Sequence, residues 1–386
     1  MIEIHGTDGS VEPAISGAVT PPVLMMPLLP MIDVLLPFFR EIDERHVYSN
    51  DGPLNRRFSA EFAGLLQSRL SDPATLHVAT ISNGTTAIEL SLRLRAKPGR
   101  FVLMPAYTFI ATAHAVANAG YEPWLTDVDP VSWALTPVIA EAILPQLTEP
   151  PAAVVAVSPF GAPVDQAAWN AFEDRTGIPV VLDMAAAALS LDAVGRVPAC
   201  VSLHATKMLG IGEGGAIVSE DADFIAAARS AASFGFVPGT RTAARHGGNY
   251  RISEYAAAVG LAALAQATAK EARLKAIALA YRRHLGNVPV DWHAGFGEEW
   301  VSMTINIGLP VDCVDTVIAA LETRNVPWRR WWSLGCHTHA PFAHAPRDRL
   351  DVTEDLGRRV IGLPFHEFLT EGQVRLVSDT VRSALA

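Results

Sequence analysis

Between about Thr75 and Ser219 short apolar runs alternate with segments long enough to be helices, and this alternation constrains the fold more than any other feature. The runs are Leu76–Ile81, Phe101–Met104, Trp124–Val128, Ala153–Val157, Val180–Asp183 and Ala216–Ser219. Strands separated by roughly ten or more residues need crossovers rather than tight hairpins, which predicts a mostly parallel, buried central sheet flanked by helices. Ala111–Ala119 and Asp165–Arg175 supply crossover helices, and Leu54, Phe58, Phe62, Leu65 and Leu66 mark one face of an earlier amphipathic helix. Tyr255–Leu285 reads as one long helix or two stacked ones. Beyond about residue 290 come isolated strands, a helix over Val314–Thr323, a Trp- and His-rich loop and a terminal helix from Glu371, the pattern of a smaller α+β domain. The expected organisation is an arm over 1–22, a large domain over 23–270 with N-terminal helices in 33–70, and a small domain over 271–386.

A chain of 386 residues, 50% hydrophobic and 18% charged, can bury a large core. Its net charge of −10 is spread thinly and no basic run occurs, so a nucleic-acid partner is not expected. The apolar stretch Val23–Met31 is broken by Pro27 and Pro30, which argues against a signal peptide or a membrane span. Cys200, Cys313 and Cys336 lack CxxC spacing, which fits a reducing cytoplasm. Cys336, His337, His339 and His344 do not make a zinc ligand set, and no metal is expected.

The segment from Ser202 to Gly215 is the most informative. Lys207 lies among small residues just before a glycine-rich turn. Its amine can condense with an aldehyde cofactor if burial lowers its pKa, or it is a solvated surface lysine. Gly210–Gly215 matches G-x-G-x-x-G, but a strand follows where that fingerprint requires a helix, so it is read as a tight turn. Asp183 ends an apolar strand, at the edge where open α/β sheets bind ligands; it suits a pyridine nitrogen or, equally, a helix N-cap. Ser82–Thr86 joins strand to helix, which offers either an anion site or an ordinary cap on Ser82 or Asn83. Tyr107 and Phe109 follow another strand end and serve a flat ring or the core.

Taken in order, these segments resemble the DegT/DnrJ/EryC1/StrS family of sugar aminotransferases. The matching stretches are Tyr48–Leu54, Ser82–Thr86, Pro105–Phe109, Asp127–Asp129, Thr206-Lys207, Gly248–Glu254 and Leu363–Phe365. The resemblance implies pyridoxal 5'-phosphate (PLP) fold type I: an α/β large domain plus a smaller α+β domain. It assigns Lys207 as the Schiff-base lysine and proton shuttle, Asp183 to the ring nitrogen, and Phe109 to the ring face. Gly84, Thr85 and Ser202 go to the phosphate. Asn249 would reach the cofactor phosphate of a neighbouring subunit, implying a homodimer with shared sites. Tyr107, Arg329, Trp331 and His337 are candidate substrate residues, although the Trp cluster around Trp331 equally suits a subunit or domain contact.

Two positions depart from the family pattern: Leu182 stands where Glu is usual, and Ala186 where a Gln reaches the cofactor's phenolic oxygen. The implied reaction moves an amino group from L-glutamate or L-glutamine to a nucleotide-linked 4-keto-6-deoxy sugar. The alternatives are a keto-cyclitol or 3-keto sugar, a non-catalytic PLP-fold binding protein, or an amino-acid aminotransferase using Arg358 or Arg359.

Overall fold

The computed structural model describes residues 19–71, 74–191 and 193–386. The expected arm over 1–22 therefore falls mostly outside the described residues. The first two helices are α1 (Ile32–Arg45) and α2 (Pro53–Gln67). Next come β1 (His77–Ile81), α3 (Gly84–Arg95), β2 (Phe101–Pro105), α4 (Ile110–Asn118), β3 (Glu122–Thr126) and α5 (Pro137–Ile143). They are followed by β4 (Ala153–Val157), α6 (Gln166–Thr176), β5 (Val180–Asp183), β6 (Ala199–Ser202), β7 (Gly215–Ser219) and α7 (Ala222–Ala232).

The seven strands form one sheet in the order β1-β7-β6-β5-β4-β2-β3. Neighbours from β6 through β5, β4 and β2 to β3 are parallel, whereas β7 is antiparallel to both β6 and β1. Because β7 reverses twice, β1 points the same way as the parallel set. The carboxyl ends of β1, β2, β4, β5 and β6 thus open on one edge. Val154, Val155, Val180, Val181 and Leu182 are inaccessible to water, as strands covered on both faces require.

Tyr255–Leu285 belongs to a single helix, α8 (Glu254–Leu285), which starts on the N-cap Ser253 and stops at Gly286 in a positive-φ conformation. A second, antiparallel sheet follows, made of β8 (Asp291–Trp292), β9 (Ile305–Gly308) and β10 (Val360–Leu363). With it lie α9 (Val314–Thr323), α10 (Asp351–Arg359) and α11 (Glu371–Ala384), the last carrying a capping box of Thr370 and Gln373.

Glu254 ties the first turn of α8 to the first turn of α2. Buried to 1% exposure, its carboxylate accepts the backbone N–H groups of Leu54 (2.7 Å) and Asn55 (3.0 Å), the unpaired donors opening α2. A Cβ on Gly52 would lie 2.5 Å from Glu254 Cδ, so any side chain there must displace this carboxylate. Further along the contact, a Cβ on Gly260 would lie 2.6 Å from the Phe58 ring, so α2 and α8 pack almost backbone to ring.

Candidate active site

The strand ends converge on a cavity of about 410 Å³, and its lining explains why the sequence folds as it does there. From β5 comes Asp183, 6% exposed. Its Oδ2 accepts the Thr112 hydroxyl at 2.7 Å and its Oδ1 accepts the Ala185 N–H at 3.1 Å. Burial drives this carboxyl above its usual range, while Thr112, Ala185 and the positive charge of Lys207 pull it back. Conversely, burial lowers the Lys207 amine, and Asp183 opposes that shift.

Lys207 sits on the connection between β6 and β7, which is cross-tied by Leu203 N–H to Gly214 O and Ala205 N–H to Gly212 O, both at 2.8 Å. Gly212 has φ +96, a left-handed conformation that favours glycine. The Gly-rich segment is therefore a tight turn between antiparallel strands, as its context predicts. Ser202 ends β6 and lines the same cavity.

At the end of β1, Asn83 caps α3 by accepting the Thr86 N–H at 2.8 Å. The two sequence readings of this turn are compatible, since the capped helix opens on the cavity at Gly84 and Thr85. Gly84 lies so near Ser202 that a Cβ would meet the serine Cβ at 2.9 Å. Phe109, the residue before α4, lines the cavity yet is 56% exposed. Thr108, His204 and Trp332, from segments already marked in the sequence, complete the wall with Phe160, Ser302 and Thr304, which sequence reasoning missed. Phe160 and Trp332 stack at 3.9 Å between ring centroids. No local motif marks Phe160, Ser302 or Thr304, because they come from segments far apart in sequence.

Four expected site residues do not line this cavity. Tyr107 is 3% exposed and packs edge-on against Trp332 (5.0 Å) and Phe160 (6.2 Å), so it supports the wall from behind. Arg329 is exposed and lies 5.4 Å over Trp331, which does line the cavity. His337 faces Glu354 at 3.9 Å across α10, with its ring lowered in pKa chiefly by burial. Asn249 is exposed, and its side-chain oxygen accepts from Arg251 at 2.7 Å. The late arginines are also elsewhere: Arg359 pairs with Asp291 and Asp355, and Arg358 is exposed.

Residues 35–382 match the DegT/DnrJ/EryC1/StrS aminotransferase family, which accounts for nearly the whole described chain. The chain belongs to this family. It is a pyridoxal phosphate-dependent transaminase of fold type I. Among its relatives, protein Rv3402c of Mycobacterium tuberculosis is 28% identical over 99% of both chains. The UDP-N-acetyl-3-dehydro-alpha-D-glucosamine 3-aminotransferase of Acidithiobacillus ferrooxidans is 28% identical over 89% of this chain and 91% of its own. The crystal structure of DesI with its TDP-sugar product superposes with a TM-score of 0.82, at 29% identity over 95% of this chain and 93% of that one.

The cavity of this family member suits the cofactor. A buried carboxylate stands at its base, Lys207 in its wall, and the open N-terminus of α3 at its side. These match, respectively, a ring nitrogen, an aldehyde and a phosphate. Ala186 also lines the cavity, so the position where the family usually has Gln contributes only a methyl group there.

Proposed function

We propose that this aminotransferase moves an amino group from L-glutamate or L-glutamine to a nucleotide-linked keto-sugar, with a 4-keto-6-deoxy sugar as the first choice. The observation that carries this reading is the meeting of Lys207, Asp183 and the α3 N-terminus in one cavity, in a chain of this family. Bound there, pyridoxal phosphate supplies an aldehyde and an electron-withdrawing ring. The chain's own residues do the rest. Gly84 and Thr85 hold the phosphate through backbone N–H groups and a hydroxyl, with Ser202 adding a second hydroxyl. Asp183 pairs with the ring nitrogen and Phe109 covers the ring face. Lys207 Nζ, made more readily neutral by burial, would take the proton from the substrate carbon that bears nitrogen and deliver it to the cofactor carbon that held the aldehyde, and would carry it the opposite way in the second half-reaction.

On this reading the protein is a cytoplasmic homodimer. Asn249, exposed and outside its own cavity, serves the phosphate of the other subunit. The free thiols Cys200, Cys313 and Cys336 suit a reducing compartment. Arg329 and His337 belong to the outer substrate region, and Trp331 and Trp332 give the sugar an aromatic wall.

A 3-keto sugar is the second reading, favoured by the Acidithiobacillus relative, a 3-aminotransferase of a 3-dehydro sugar. An ordinary amino-acid substrate fits poorly, because Arg359 is committed to Asp291 and Asp355 rather than to the cavity. The test is to incubate the holoenzyme with L-glutamate and a panel of 4-keto and 3-keto nucleotide sugars, a free keto-cyclitol and oxaloacetate, reading aminated products by mass spectrometry. An amine on a nucleotide sugar is expected. Amination of oxaloacetate alone would sink the proposal.

A further inference from the structure

Thr112 is inaccessible to water and lies in the first turn of α4. A helical threonine ordinarily returns its hydroxyl proton to the carbonyl one turn back. Here the proton goes across the fold to Asp183 Oδ2 at 2.7 Å, a partner 71 positions away. Behind it, Thr108 Oγ1 lies 3.0 Å from Thr112 Oγ1 and is itself 2% exposed.

Each hydroxyl has one proton to give. With Thr112 donating to an ionised Asp183, Thr108 must donate to Thr112, so the two protons point one way along the row. An Asp183 protonated on Oδ2 would have to reverse that order. Donation from Thr112 works against the larger effect of burial on Asp183 and holds its Oδ2 in place. The other titratable groups facing Asp183 cannot substitute. Lys207 acts through charge from the opposite wall, and burial raises the Cys200 thiol, which keeps it neutral.

We propose that Thr112, backed by Thr108, is the positioning residue that sets the Asp183 carboxylate toward the cofactor's ring nitrogen. The inference rests on the assignment of Asp183 to that nitrogen. It is tested with Thr112→Val, Thr112→Ser, Thr108→Val and Asp183→Asn. Three quantities are read: cofactor dissociation constant, the pH midpoint of bound-cofactor absorbance, and the infrared carboxylate bands of the cofactor-free protein assigned by difference against Asp183→Asn. Thermal melting confirms that each variant is folded.

Thr112→Val should weaken cofactor binding about tenfold, the scale of one hydrogen bond to a charged group, and shift both spectra. Thr112→Ser should restore native values, and Thr108→Val should fall between. A folded Thr112→Val protein with native affinity and spectra overturns the role of Thr112. So does a Thr112→Ser protein that behaves like Thr112→Val, since packing rather than the hydroxyl would then matter. If Asp183→Asn itself binds cofactor like the native protein, the Asp183 assignment fails and the inference fails with it. If only Thr112→Val is silent, the assignment stands and the row alone is refuted.

Discussion

Lys207 and Asp183 face each other in a site where burial works against charge on both, and each supplies the attraction that partly restores the other. Replacing Lys207 with Ala should lower amino transfer by at least about a thousandfold, the scale of a lost positioned acid–base group, while the melting curve stays native-like. Full activity in that variant would refute the assignment. At Ala186 the expected outcome concerns colour. Ala186→Gln puts an amide into the cavity, and the absorbance midpoint of the bound cofactor should move in a pH titration. An unchanged midpoint means that position is indifferent to hydrogen bonding.

Lys207, Asp183, Gly84, Thr85, Phe109 and Ser202 were legible because each sits in a short motif at a strand end. Thr112 was not, since its partner is fixed only when β5 and α4 pack together. Tyr107, Arg329 and His337 stand outside the lining of the cavity, because spacing along a loop does not say which side of a wall a ring occupies.

Among elements, the α2–α8 contact makes the sharpest demands. Gly52→Ala should destabilise the protein by several kcal/mol, on the order of 3, because the added methyl drives Glu254 off the two N–H groups it accepts. A native melting temperature would show that the carboxylate finds other donors. Arg69 and Glu271 tie the same region at 2.7 Å. Burial raises the Glu271 pKa, but the hydrogen bonds and charges of Arg69 and Lys275 together more than offset that and leave it lowered. The stabilisation is thus full above the ordinary carboxylate range and is lost as pH falls through the lowered value. Glu271→Gln should cost about 1 kcal/mol at pH 7, after solvent screening, and progressively less as pH falls below the ordinary carboxylate range, a difference readable as a shrinking gap in melting temperature.

Most elements follow from period and length, since α8, α9 and β4 were all visible as patterns. The strand β6 was not. Its residues Ala199–Ser202 hold one β-branched side chain where the equally short β5 has two, and they join the sheet by pairing with β5 and β7.

For the whole molecule, the central expectation is that two chains complete each site. Lys207→Ala and Asn249→Ala proteins should each be impaired. After unfolding and refolding together, they should regain about a quarter of native activity, since half the dimers are mixed and each has one intact pair. Failure to regain activity, with mixed dimers shown by mass, would mean that each site is built from one chain. The mostly parallel sheet was legible from the alternation of runs, whereas the reversal at β7 is set by long-range pairing.

The Glu254 carboxylate also bears on how the chain is made. Leu54 and Asn55 emerge from the ribosome some 200 residues before Glu254, so the opening turn of α2 lacks this acceptor until then. A nascent chain stalled short of residue 254 should present the apolar face of α2, Phe58 and Phe62 included, to proteases, and lose that sensitivity once α8 is out. Synthesis rather than chemistry then sets the moment at which this protein becomes safe from aggregation.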